Sequence, residues 1–361
     1  MQLLSLQSSL SSVLDALQDI ANNVEIKSDF CISHPAYKPL DIPAEVVTRF
    51  QRTPLDLQNK YLSLQLQSFL YGIYYNGSLQ AHLATGIGSG DLALHQNLEN
   101  NTFLGVDLDF YDRLHNSNLG EGYFAPGWSV LRQESDGSIA VTKSGLTLHI
   151  ERDRHLQPTE RSASVGSIVA IRMPRNLVQN GFYMAVSNAG PDTSPQTVRV
   201  YFNLTPEGAI AVMESLTRQL NQIKIPFTFK VLYNPSDYGR YDSGVLYFEK
   251  SNYQAIWQVL RTIYAEKRSH FRTEVPLFTK FLAPGIALAE EPDFKFAESE
   301  SFGMNRCQIV ANALLEARQQ GDESPQSRMA FIRQHFSLLG IDWQHSYLNA
   351  NSEDIYTPLD Q

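Results

Sequence analysis

Apolar residues recur at helical spacing through the first part of the chain: Leu3, Leu4, Leu10, Val13, Leu14, Leu17 and Ile20. Val46, Phe50, Leu55 and Leu57, then Leu64, Leu66, Phe69 and Leu70, continue that period and predict further helices. Two more are expected over residues 91–99 and 104–114. After Gly120 the period shortens. Trp128, Val130 and Leu131, the Asp136-Gly137 turn, Ile139 and Val141, and the Ser144-Gly145 turn predict a meander of short strands over 127–150. Strands are also expected over 167–172, 181–187 and 197–203. Thr205-Pro206-Glu207 reads as a helix start, with Thr as N-cap and Pro in the first turn, followed by the stripe Ala209, Met213, Leu216 and Leu220. Further helices are expected from Asn252 through Ile256, Leu260 and Ile263, then over 304–319 and 327–339. The chain therefore reads as α+β. A helical N-terminal region, 1–120, precedes a domain over 121–361 with a mainly antiparallel sheet and packed helices.

Alternation within strands exposes candidate chemistry. Over 227–233, Phe227, Phe229, Val231 and Tyr233 take one face, and Lys230 stands on the other between Thr228 and Leu232. A polar turn leads on to Val245-Leu246-Tyr247. Val198, Val200 and Phe202 oppose Arg199, Tyr201 and Asn203; Leu146, Leu148 and Ile150 oppose Thr147, His149 and Glu151. If these strands share a sheet, one polar face carries a histidine, a lysine and an arginine. Each residue taken alone has a plainer reading: a snorkelling lysine, a hydrogen-bonded surface histidine, solvated arginines. Arg172 and Arg175, flanking Met173-Pro174, could equally form an ordinary basic loop.

Composition narrows the class. The chain has 361 residues, 43% apolar and 19% charged, as in globular proteins, with a net charge of −9 that argues against a general grip on nucleic acid. Two cysteines, Cys31 and Cys307, make no disulfide framework and no metal-ligand spacing. No apolar run reaches the roughly 20 residues of a membrane helix, and the start lacks a secretory pattern. A cytosolic protein without membrane attachment is the expectation. Gly86-Ile87-Gly88-Ser89-Gly90 lacks the strand and the Lys-Ser or Lys-Thr of a nucleotide loop, so it reads as a turn. His149 and His155 fit no zinc pair, and no serine nucleophile elbow occurs.

Several segments resemble the HopA-type effector family of type III secretion, together with relatives encoded beside a kinase in lanthipeptide and thioamitide biosynthesis. They are Gly145-Leu146-Thr147-Leu148-His149, Val198-Arg199-Val200-Tyr201-Phe202-Asn203, Phe229-Lys230-Val231 and Gly239-Arg240-Tyr241-Asp242. Val275-Pro276-Leu277-Phe278-Thr279-Lys280, Leu282-Ala283-Pro284-Gly285 and Ser301-Phe302-Gly303-Met304-Asn305-Arg306 complete the set, which spans roughly residues 120 to 320. The resemblance implies a lyase that removes phosphate from phosphoserine or phosphothreonine in a peptide. A more distant likeness to phosphothreonine lyase effectors implies His149, in its His-Ile pair, as acid and Lys230, in its Lys-Val pair, as base. It also implies Arg240 and Arg306 as phosphate ligands. Those lyases place a lysine closely before the histidine; here the nearest is Lys143, six positions earlier, a further phosphate candidate.

The chemistry suits these types. Elimination removes a weakly acidic Cα proton and protonates the departing oxygen. A lysine serves as base when burial and neighbouring cations favour its neutral form, and an imidazolium can supply the second proton. Arginines bind phosphate through paired charge-assisted bonds. Arg240 and Arg306 come first, with Arg199 and Lys280 behind them; Tyr201, Tyr241 and Arg172 are candidate substrate contacts. No metal or organic cofactor is implied. The expected partners are a phosphorylated precursor peptide and a neighbouring kinase. Two other readings stay open: a non-enzymatic effector that holds a phosphorylated partner, and a subunit that binds a leader peptide for the kinase.

Overall fold

The computed structural model describes residues 2–27, 31–40, 44–80 and 105–360. The glycine-rich 86–90 and the helix expected over 91–99 lie outside them. Helix α1 (Gln2–Asn23) buries Val13, Leu17 and Ile20, three residues of its predicted stripe. A small antiparallel sheet follows, made of β1 (Glu25–Ile26), β2 (Ile32–His34) and β3 (Tyr37–Leu40). Helices α2 (Ala44–Phe50) and α3 (Leu55–Leu70) come next, and α3 widens into a π-helical turn, Tyr71–Tyr75. Helix α4 (Leu108–Ser117) begins where the Asp107 side chain accepts the Phe110 N–H at 2.9 Å.

Strands β4 (Tyr123–Gln133), β5 (Ile139–Lys143), β6 (Leu146–Ile150) and β7 (Ile168–Met173) form a four-stranded sheet in the order β6-β5-β4-β7. The short helix α5 (Arg152–His155) links β6 to β7. This sheet has its own core of Trp128, Val130, Ile139, Val141, Ile150, Leu156, Val169 and Ile171. Its two ends meet at Gly122, where φ is +92° and an added Cβ would lie 2.4 Å from the Met173 carbonyl oxygen. Only glycine fits so close a crossing.

The larger sheet comprises β8 (Asn176–Gln179), β9 (Phe182–Val186), β10 (Thr197–Phe202), β11 (Thr228–Leu232), β12 (Gly244–Glu249), β13 (Lys280–Ala283) and β14 (Ile286–Glu290). Their order is β13-β14-β10-β12-β11-β9-β8, and all pairings are antiparallel. Helix α6 (Pro206–Gln222) starts as expected, the Thr205 hydroxyl accepting the Gly208 N–H at 3.0 Å. It packs on α7 (Tyr253–Lys267), and α8 (Phe302–Gln319) packs on α9 (Pro325–Leu338).

One core runs through all of this except the four-stranded sheet. It joins Leu17, Leu66 and Phe69 of the N-terminal helices to Phe202, Phe229, Leu314 and Phe336. The division expected at residue 120 therefore does not separate cores. The N-terminal helices complete the body built by the seven-stranded sheet and α6–α9, while residues 123–173 form the separately packed unit. Hydrophobic period marks where helices end, but not which elements bury their stripes together.

Trp128 is 5% exposed in a core the main body does not share. Trp128→Ala should cost about 3–5 kcal/mol locally, much of what a unit this small can hold. Hydrogen exchange should then show fast exchange in β4–β7 with protection retained in β9–β12. Equal loss in both sheets would show that the two cores unfold as one.

Candidate functional site

The register of the seven-stranded sheet gathers the polar residues. Tyr201 lies opposite Val245, Val245 opposite Lys230, and Lys230 opposite Met184; Arg199 faces Tyr247 and Tyr247 faces Thr228. Directly paired residues share a face, so Arg199, Tyr201, Tyr247 and Lys230 project together. The opposite face carries Val200, Leu246, Phe229 and Val231, all fully buried. Over the polar face lie the π-helical turn, the start of α8 and the loop before β12. Tyr75 meets Tyr201 edge-on at 6.2 Å, and Tyr201 lies 6.3 Å from Phe302. A cavity of about 20 Å³ remains among Tyr71, Phe182, Arg199, Tyr201, Lys230 and Arg240. That is room for about one water.

The cations differ in how they are balanced. Arg240, 5% exposed, grips Asp242 through Nε at 2.5 Å and Nη2 at 2.8 Å, and the Tyr71 hydroxyl donates to the same carboxylate at 3.2 Å. Arg199 pairs with Glu291 and stacks 5.1 Å from the Tyr247 ring centre. Burial alone would raise the Glu291 carboxyl; Arg199 and Lys295 hold it below its ordinary value. Lys230 places its Nζ 4.5 Å from the Phe182 ring centre and 5.5 Å from that of Tyr247, with the Gln179 Oε1 at 3.5 Å. Among the described residues it makes no ion pair. Although the Tyr75 hydroxyl lies close enough to interact with it, the buried Tyr201 hydroxyl finds no hydrogen bond of good geometry among the described residues. Burial outweighs the nearby Arg199 charge and pushes its pKa well above that of a free phenol.

Of the residues singled out in the sequence, Lys230, Arg199, Tyr201 and Arg240 converge here. The others do not. His149 lies on β6, the edge of the four-stranded sheet, with its side chain 59% exposed, near Arg132 at 3.4 Å and Glu134 at 3.5 Å. Lys143 and Arg172 belong to that sheet too, donating to the carbonyls of Pro126 at 2.7 Å and Glu121 at 2.9 Å. The shared face expected for the histidine, lysine and arginine is thus a lysine and arginine face without the histidine. Alternation assigns a side chain to one face of its strand but says nothing of which sheet the strand joins.

Tyr241 donates to the Gln80 Oε1 at 3.0 Å. Lys280 pairs with Asp354 at 2.5 Å and lies 5.1 Å from the Tyr347 ring centre. Arg306, 1% exposed, gives its donors to the carbonyls of Ser346 at 2.7 Å and Leu348 at 3.1 Å and to the Asn305 side chain at 2.6 Å. Burial pushes it down to about 10, which still leaves it charged near neutrality. Lys280 and Arg306 are anchors for the C-terminal segment, not faces of the cavity. Tyr247, Phe182, Asp242 and Glu291 join the site beyond the candidates expected from the sequence. Asp242 stood in plain view beside Arg240; Glu291 had no local signal.

The cavity's charged residues fall between positions 199 and 242, and a family comparison covers that stretch. Residues 173–348 match the HopA1 effector protein family. The family resemblance read from the sequence is therefore shown over this segment, and His149, Lys143 and Arg172 fall before it. Two solved structures similar to this chain come from Pseudomonas syringae. The effector protein of pv. tomato strain DC3000 is 20% identical with a TM-score of 0.38, over 47% of this chain and 63% of that one. The effector protein of pv. syringae strain 61 is 14% identical with a TM-score of 0.41, over 68% of this chain and 81% of that one. This chain thus spans less than two thirds of the first. A comparison with curated proteins gives no match. Among the described residues no helix is long and apolar enough to cross a membrane, and no cluster of three or more His, Cys, Asp or Glu could hold a metal.

Arg306→Ala removes two charge-assisted bonds to buried carbonyls and should lower stability by about 3 kcal/mol, read from urea unfolding. Unchanged stability together with lost phosphopeptide binding would return Arg306 to the ligand set.

Proposed function

We propose that the pocket around Lys230 removes phosphate from a phosphoserine or phosphothreonine of a peptide by β-elimination, leaving a dehydroamino acid. The observation that supports this reading is the convergence of an amine, a phenol and two guanidinium groups around one cavity. Lys230 Nζ, entering the step as the neutral amine, takes the Cα proton. The electron pair forms the Cα–Cβ double bond as the Cβ–O bond breaks, and its electrons leave with the phosphate oxygen. Tyr201, a phenol that carries its proton at neutral pH, gives that oxygen its proton. In this reading the acid is Tyr201 and not His149. Arg199 and Arg240 hold the phosphate and exchange their carboxylate partners for it, and the lining side chains must part to admit it.

A second reading has specific support. Arg199 and Arg240 are both already matched by carboxylates, and the cavity is small. A pocket of this kind also suits a protein that holds a phosphorylated partner or leader peptide without reacting. In the biosynthetic setting the substrate is a precursor peptide phosphorylated by a partner kinase in the cytoplasm. For an injected effector it is a host phosphoprotein.

Mass spectrometry of phosphoserine and phosphothreonine peptides separates the readings. Loss of phosphoric acid to a dehydro residue supports the lyase; tight binding with phosphate retained supports the holder. Lys230→Ala should slow elimination by a factor of roughly 10² to 10⁴ while peptide binding persists. Phosphate release at the parent rate would remove Lys230 as the base. Tyr201→Phe should slow turnover less for peptides with a better leaving group, and equal slowing for all would remove it as the acid.

A further inference from the structure

A second cavity, about 860 Å³, runs between α3 and α8 and is far larger than the Lys230 pocket. Two rows of side chains line it at four-residue steps, the spacing that keeps residues on one helix face. Along α3 the row is Asn59, Ser63 and Gln67, and the next step is Tyr71, which lines the Lys230 pocket. Along α8 the row runs from Met304 through Gln308 and Asn312 to Glu316. The α8 end approaches the same pocket, because Glu300 lines the groove and its neighbour Ser301 lines the pocket. Groove and pocket are therefore lined by neighbouring residues on both helices.

The floor of the groove is a network of amides. Gln67 Nε2 donates to the Met304 carbonyl at 3.0 Å, the Ser63 hydroxyl donates to Asn312 Oδ1 at 2.8 Å, and Gln308 donates to Asn312 Oδ1 at 2.7 Å. Among the described residues the amides of Asn59, Gln319 and Gln320 make no side-chain hydrogen bonds. Amides offer a donor and an acceptor each, the complement of a peptide main chain. Apolar footholds stand at the rim: Leu64 is 47% exposed and Phe296 is 43% exposed, its ring 5.2 Å from that of Phe294.

We infer that the groove between α3 and α8 seats an extended peptide segment next to the phosphorylated residue, whose phosphate enters the Lys230 pocket. This assignment of the substrate as a long peptide rests on the pocket reading above, but groove binding can be read without any elimination. The main chain lies along the amide rows, and an apolar side chain of the peptide packs on Phe296 and Leu64. Glu316, one of the groove's carboxylates, is paired with His335, so the groove is set to read shape and main chain before charge.

The test uses the full chain and an array of synthetic phosphothreonine peptides. Each sequence is made in a short form, in a form extended on both sides, and in an extended form without phosphate. For the sequences that bind best, extension should improve affinity about tenfold or more, and the extended peptide without phosphate should keep measurable binding. Leu64→Arg alters an exposed position and Asn312→Trp fills the groove at a half-buried one; circular dichroism confirms that both fold. Each should erase the gain from extension and the binding of the unphosphorylated form. No gain from extension, or a gain that survives both variants, overturns the groove. Absence of elimination by the parent chain, with the extension gain intact, would instead sink the lyase reading and leave the peptide seat standing.

Discussion

The register of β10, β12 and β11 is the constraint on which the site depends. Lys230, Val245 and Tyr201 stand in one row across three strands, and Thr228, Tyr247 and Arg199 stand in the next. A slip of β11 by one residue would turn Lys230 into the apolar core and put Phe229 or Val231 in the cavity. The burial of Phe229 and Val231, both at 0% exposure, fixes that register thermodynamically. The packing that folds the sheet and the placement of the amine are one interaction. Burying guanidinium groups is costly unless carboxylates meet them, and Glu291 and Asp242 do so. Three basic side chains, Arg199, Arg240 and Lys230, thus face two carboxylates, and Lys230 is the one of the three without a carboxylate partner among the described residues.

The surrounding structure holds this row in place. Arg306 ties the Ser346 and Leu348 carbonyls to α8, whose first residues roof the cavity. Lys280 pairs with Asp354, and Lys250 donates to the Ser352 hydroxyl at 2.7 Å and the Glu353 carbonyl at 2.9 Å, so the C-terminal segment is strapped to the same sheet. The π-helical turn supplies Tyr71 and Tyr75 to the roof, and it continues the helix that walls the groove. The cavity and the groove share these elements, so loosening one disturbs the other.

Much of this was legible in the chain, and the reasons for the rest are physical. The helical stripe of α1, the Thr205 cap, the strand meander after residue 127 and the face carrying Lys230 all follow from period and local hydrogen bonding. β13 and β14 escaped notice: Ile286–Glu290 is buried on both faces, and such strands show no alternation. His149 was matched by its neighbours in sequence, but it went to another sheet, because strand partnership is a long-range property. Arg306 looked like a ligand because motifs record residue type and not what a guanidinium touches. Its donors are spent on carbonyls forty residues away. Glu291 pairs with Arg199 across 92 positions, a separation no local pattern spans.

A crystal structure of the Lys230→Ala variant with a phosphothreonine peptide bound tests the central claim most directly. The account places the phosphoryl group between Arg199 and Arg240, the bridging oxygen at the Tyr201 hydroxyl, and the Cα hydrogen toward the space the amine had filled. A phosphate bound instead beside His149 on the four-stranded sheet, with the cavity under Tyr75 unchanged, would contradict it.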